Sequence, residues 1–230
     1  MLDANTQSLW DEYLAQEREH VRSTYLATLD RVIVAFSQLP ESDRESWAKD
    51  IARQVIDEKA EIPVRMPLFR QVVFPVLITG LTKNQPGCAR WLAGFEMHLL
   101  HVSERQNYLP DNVATSVFLL RKALEVDADD SRARRGLISR IASHLEYSLH
   151  ELPAGVLYGM NGASISECAE LIQELDEFCG FVKADGREDD YRDLTEECRL
   201  HFSAYRDYLE NRRLYASYAS YLSEKHDIEF

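Results

Sequence analysis

Glycine and proline are scarce in this chain, at 9 and 7 of its 230 residues. That excludes collagen-like repeats and linker-type sequence, which need both in bulk. Cysteine is scarce as well. Cys88, Cys168, Cys179 and Cys198 form no C-x-x-C pair and lie scattered in stretches of helical periodicity. Such spacing gives no zinc or disulfide framework and fits reduced core thiols in a cytoplasmic protein. Basic residues are in deficit, with 26 Lys and Arg against 39 Asp and Glu, a net charge of −13. Phosphate affinity comes mainly from Lys and Arg, so no nucleic-acid partner is expected. Long apolar runs are missing too. The most apolar stretch, Pro67 to Leu81, is interrupted by Arg70 and Pro75, and it falls short of the roughly 20 apolar residues of a membrane helix. Met1 to Leu14 is polar and acidic and lacks the basic-then-apolar pattern of an export signal. No membrane contact is expected.

What is present is a chain of which 45% is hydrophobic, arranged at helical spacing almost throughout. Trp10, Leu14, Val21, Tyr25, Leu29, Val32 and Phe36 recur at three-, four- or seven-residue steps, predicting one helix from about Gln7 to Gln38. Ser42-x-x-Glu45 reads as a capping box opening the second helix, with Trp47, Ile51 and Val55 on its buried face. Pro67 to Lys83 is apolar nearly all round, as a central core helix is, and Pro75 should kink it. Further helices are predicted from about Cys88 to Arg105, Asn112 to Val126 and Ser131 to Leu152. Another follows from the capping box Ser164-x-x-Glu167 to about Ala184, and a last long one from Glu188 to about Ser223. Connections of a few residues imply antiparallel neighbours. The expected fold is therefore all-α, a single domain of about eight helices in stacked antiparallel hairpins, because no linker is long or polar enough to separate halves.

The charge is uneven. Residues 1–61 carry net −6 and residues 163–200 net −8, whereas residues 62–122 carry net +4. The acidic stretches read either as solvated outer helices or as a surface for a basic partner. Glu188, Asp189, Asp190, Glu196 and Glu197 are the candidates for such a surface. Arg121, Lys122, Arg132, Arg134, Arg135 and Arg140 gather around the turn holding Asp127, Asp129 and Asp130, where they offset those acids or receive an anionic group. Tyr208, Tyr215 and Leu222 repeat every seven residues, a seam for packing on the domain or on a second copy in a homodimer.

Chemistry-bearing motifs are few. There is no G-x-S-x-G elbow, P-loop, dinucleotide fingerprint or H-E-x-x-H. Glu17-x-x-His20 has the spacing of a di-iron helix without a second copy, and its charged surroundings predict a surface position. Asp127-x-Asp129-Asp130 spells an acid motif, but it sits in a predicted turn where helix capping accounts for it. His98 and His101 cluster on one predicted helix, and His144 and His150 on another. Tyr158 lies in an unusual loop, Pro153 to Ala163, that mixes apolar residues with Gly and Asn.

The segment Leu119 to Leu137 resembles the junction between two tetratricopeptide repeats. Ala123, Ala133 and Leu137 stand at that family's small and packing positions, while Ala128, Leu120 and Arg134 replace its usual Pro, aromatic and apolar residues. The resemblance implies stacked helical hairpins and binding of a peptide or protein. The expected function is a non-catalytic helical protein-interaction module, for instance an immunity or antitoxin-like protein engaging a basic partner, with no cofactor and no metal. The alternative is an enzyme or small-ligand binder with a pocket between helices near His98, His101, His144, His150 and Tyr158.

Overall fold

Asp3 starts the first helix by accepting the backbone N–H groups of Asn5 and Thr6, both at 3.0 Å, which satisfies donors that a helix start leaves free. In this computed structural model, which describes residues 2–19, 22–109 and 115–228, that helix ends early. α1 is Ala4–Arg18 and α2 is Arg22–Gln38. The two pack side by side, with Asn5 and Leu9 along the same groove as Val34 and Gln38. The single long helix expected over this stretch is thus a hairpin. A straight helix would leave its apolar stripe in water. Folding back buries Trp10 and Tyr13 of α1 and Leu29, Val32 and Phe36 of α2. Val21 and His20 lie outside the described residues.

α3, Glu41–Asp57, follows Pro40 directly. The expected Ser42 capping box does not form, because Pro40 takes the cap position and Ser42 falls inside the helix. Glu45 instead binds Lys49 one turn on. Trp47 inserts between Trp10 and Phe36, 5.1 and 4.0 Å from their ring centres. α4 covers residues 66–82 as Met66–Leu68, a wider π turn Phe69–Val73, and Phe74–Thr82. Pro75 explains the wide turn. An α-helical course would drive its ring into the carbonyl of Gln71 and leave that carbonyl without a donor. Here the Phe74 N–H reaches Phe69, one residue further back than in an α-helix.

α5, Cys88–Gly94, lies so close to α4 that a Cβ on Gly80 would meet the Cys88 sulfur at 2.3 Å. The helix expected to run on to Arg105 breaks at Phe95. α6 is only Glu96–Leu99, and a 3-10 turn, Ser103–Asn107, follows. α7 is Thr115–Val126; its expected first residues lie outside the described ones.

A buried ion cluster joins these elements. The Arg90 guanidinium binds Asp57 at the end of α3, and its Nε binds Asp130 in the turn after α7 at 2.7 Å. Trp91 Nε1 also donates to Asp57, at 2.8 Å. Asp130 in turn accepts the Ala133 N–H at 2.9 Å and so caps α8, Ser131–Leu149.

The chain divides into two compact units, residues 1–133 and 134–230. The boundary falls in the first turn of α8, so no linker or composition shift marks it, and the sequence alone reads as one domain. In the C-terminal unit, α9 is Ile165–Ala184, with the Ser164–Glu167 capping box formed as expected. The long last helix is broken. A 3-10 turn, Glu188–Tyr191, leads into α10, Arg192–Glu210; another, Arg212–Leu214, precedes α11, Tyr218–His226, which Ser217 caps. The break lets the tyrosines fold onto one another, Tyr218 lying 4.8 Å from Tyr205 and Tyr221 6.0 Å from Tyr208. Among the described residues no strand is present, and no helix is long and apolar enough to cross a membrane.

Asp57→Ala would leave an Arg90 N–H and the Trp91 indole N–H buried without their acceptor, while Asp130 still pairs with Arg90. We expect a loss of about 2–4 kcal/mol in denaturant unfolding, from two unmet donors at about 1–3 kcal/mol each; a loss below about 1 kcal/mol would show the cluster to be solvent-screened.

Candidate functional site

The C-terminal unit carries 11 Lys and Arg against 19 Asp and Glu. Its acids concentrate on the α9–α10 hairpin because α10 is strongly two-faced. Cys198, Phe202 and Tyr205 point into the core, while Asp193, Glu196 and Glu197, at i, i+3 and i+4, share the outer face. The 3-10 turn before α10 adds Glu188, Asp189 and Asp190, all exposed. Asp190 is held by Arg187 at 2.7 Å and Asp189 by Arg192. Glu188, Glu196 and Glu197 have no ion-pair partner among the described residues. Like charges at this spacing repel by a few tenths of a kcal/mol per pair in an isolated helix, while the start of α10 favours the acids of its first turn.

The tyrosine seam resolves differently. Tyr208 is buried against Tyr205, Tyr218 and Tyr221, and Leu222 is fully buried. Tyr215 is half-buried, its ring 5.0 Å from Tyr221. The seven-residue repeat does not form a free helix face, since it crosses the break after Glu210.

The histidines go to separate places. His98, in the N-terminal unit, binds the Val64 carbonyl through Nε2 at 2.7 Å and packs between Phe69 and Phe95. His101 is exposed, and neighbouring Glu104 is taken by Arg70. In the C-terminal unit, His144 Nδ1 lies 2.7 Å from Glu174, and its ring meets Tyr158 edge-on at 5.6 Å. The Glu174 carboxylate holds the His144 pKa above its ordinary value, outweighing partial burial. His150 is exposed. So of the five, only His144 and Tyr158 are brought together. The loop bearing Tyr158 tucks Leu157 fully inside, holds Tyr158 at positive φ, and leaves Met160 91% exposed. Among the described residues no group of three His, Cys, Asp or Glu side chains is placed to hold a metal ion.

One further expectation is corrected. Glu17 is buried rather than at the surface, its Oε1 held by Arg65 with Nε at 2.7 Å. Its charged neighbours point to the surface, but Glu17 lies one turn beyond Tyr13 on the inward stripe. Of the basic cluster at the α7–α8 turn, Arg135 binds Asp185, at 3.1 Å, and Lys122 binds Glu125; Asp130 is taken by Arg90 instead. All four cysteines are free. Burial pushes the thiol pKa of Cys198 up to about 12 and those of Cys88 and Cys168 to about 11, which marks them as inert core residues.

Comparison with family models, with curated proteins and with solved structures returned no match. The residue the sequence reading missed is Arg44. It lines a cleft in the N-terminal unit with its Nε buried and without a partner. An arginine in a helix carries no sequence signal for that; only the packing of α2 and α4 beside it does.

His144, with its folded pKa raised, contributes stability that is complete below its ordinary value near 6.5 and is lost as pH rises through the folded value. Glu174→Gln should therefore cost up to about 1 kcal/mol in mildly acidic buffer and little in alkaline buffer, given that the pair is partly exposed. Equal cost at both would assign Glu174 a role independent of His144 charge.

Proposed function

We propose that this chain is a non-catalytic binding protein whose C-terminal unit engages a basic protein partner through the α9–α10 acidic face. The observation that carries this reading is that Glu188, Glu196 and Glu197 stand exposed without a counter-ion, beside Asp189, Asp190 and Asp193. A surface charged this way speeds encounter with a basic partner and fixes its register. A tetratricopeptide-like junction over residues 119–137 points the same way, since it too implies protein binding, although its residues fall in both units. An immunity or antitoxin-like protein neutralising a basic toxin is the concrete form this role takes.

The test is affinity capture from a lysate of the source organism, with wild type and with the variant E188Q/D189N/D190N/E196Q/E197Q, at low and high salt. Substitutions at exposed sites leave the fold intact. The expected result is a basic protein bound at low salt, released at high salt, and held at least about tenfold more weakly by the variant. Capture that is indifferent to both salt and variant would contradict the reading.

A further inference from the structure

In the N-terminal unit, α2, α3 and α4 enclose a cleft of about 270 Å³. Ile33, Phe36 and Val72 form its floor, with 7%, 0% and 7% of their surfaces exposed. Pro75 and Val76 form an apolar wall, set by the same π turn that Pro75 imposes on α4. Arg44 reaches in from α3. Its Nε is buried and has no hydrogen-bond partner, and the side chain makes no ion pair among the described residues. Arginine does not deprotonate in a protein, so this is a permanent charge with a desolvated, unmet donor. The geometry points to an absent acceptor.

The other polar groups of the cleft narrow what that acceptor is. The hydroxyls of Ser37 and Thr79 already donate to the carbonyls of Val34 and Pro75, at 2.6 and 2.8 Å. That leaves Arg44 and, at the exposed rim, Lys83 as charged donors, with the neutral amide of Gln71 beside them. Two carboxylates also line the cleft. Glu45 is matched by Lys49, just outside the lining, and holds its pKa below the ordinary value through that contact, while Glu41 stands exposed. Counting Lys49 with the lining residues, three cations face two carboxylates, and the balance of one positive charge suits a monoanion better than a doubly charged phosphate. A guanidinium fork matches the two oxygens of a carboxylate. The volume lies just under the roughly 300–1,000 Å³ of drug-sized pockets, which suits a short molecule.

We propose that this cleft binds a small monocarboxylate with an apolar tail, its carboxylate on Arg44 and Lys83 and its tail over Ile33, Phe36, Val72 and Val76. The site lies in the other unit from the acidic face, so its fate does not bear on the protein-binding reading.

Calorimetric titration of the full chain tests it, with octanoate, 1-octanol and inorganic phosphate as probes. Octanoate is expected to bind at one site, to bind Arg44→Gln at least about tenfold more weakly, and to bind Lys83→Gln several-fold more weakly. Octanol should bind at least about tenfold more weakly than octanoate, and phosphate should not compete. Arg44→Gln should melt at or above the wild-type temperature, because it removes a buried donor that has no acceptor. Val76→Trp, which fills the cleft from its half-exposed wall, should abolish octanoate binding, and it serves as the second variant should Arg44→Gln unfold. Octanol binding as well as octanoate, phosphate displacing octanoate, unchanged affinity in folded Arg44→Gln or Val76→Trp, or no octanoate binding at all would each overturn the proposal.

Discussion

Arg90 is the side chain on which the N-terminal unit depends. Its side chain is 11% exposed, and its two carboxylate partners, Asp57 and Asp130, are 5% and 10% exposed. Two acids around one guanidinium leave an excess negative charge out of water. The structure tolerates it because each carboxylate has a second donor, Trp91 for Asp57 and the Ala133 amide for Asp130. The three charged residues stand 33 and 40 positions apart along the chain. Their meeting fixes the end of α3, the start of α5 and the turn after α7 against one another. A buried cluster of this kind adds little over an apolar replacement of the same shape, but it is unforgiving of partial removal. It therefore specifies which helices meet more than it adds to their stability.

The two units distribute charge differently. In the N-terminal one, ion pairs reach inward: Arg90 with its two acids, and Arg65 on buried Glu17. Arg44 belongs to the same pattern with its acid missing, and that lack makes the cleft beside α4 a site for a carboxylate brought from outside. In the C-terminal unit the interior holds apolar side chains, aromatic rings and thiols, and Asp185, 3% exposed and bound by Arg135, is its inward acid. Most other acids stay on the exposed faces of α9 and α10, where several have no partner. One chain thus presents an apolar cleft with one surplus positive charge and a wet negative face. These are chemically distinct surfaces.

Much of this is legible in the residues. The all-helical class follows from periodicity, the α9 start from Ser164 and Glu167, and the outward acids of α10 from their spacing against Cys198 and Phe202. The failures share a cause. Periodicity states which residues are buried and is silent on what buries them. A continuous stripe from Trp10 to Phe36 is compatible with one helix or with two that fold face to face, and burial of both halves selects the second. The Tyr208–Tyr215–Leu222 repeat likewise suits a partner's seam, yet the chain breaks after Glu210 and the tyrosines cover one another. The buried Nε of Arg44 and the buried Glu17 carry no sequence signal because their surroundings come from helices distant in sequence. Pro75 predicted a distortion of α4, whereas the cleft that the distortion opens could be seen only with α2 and α3 in place.

The claim that the chain carries two separate binding surfaces is tested most directly by mapping amide shifts in a ¹H–¹⁵N NMR spectrum during two titrations, one with octanoate and one with an octalysine peptide. The account predicts octanoate shifts confined to residues 33–45 and 71–83, and octalysine shifts appearing first at residues 188–197. Octanoate shifts scattered over both units, or octalysine shifts spread evenly over the acids of the whole chain, would contradict it.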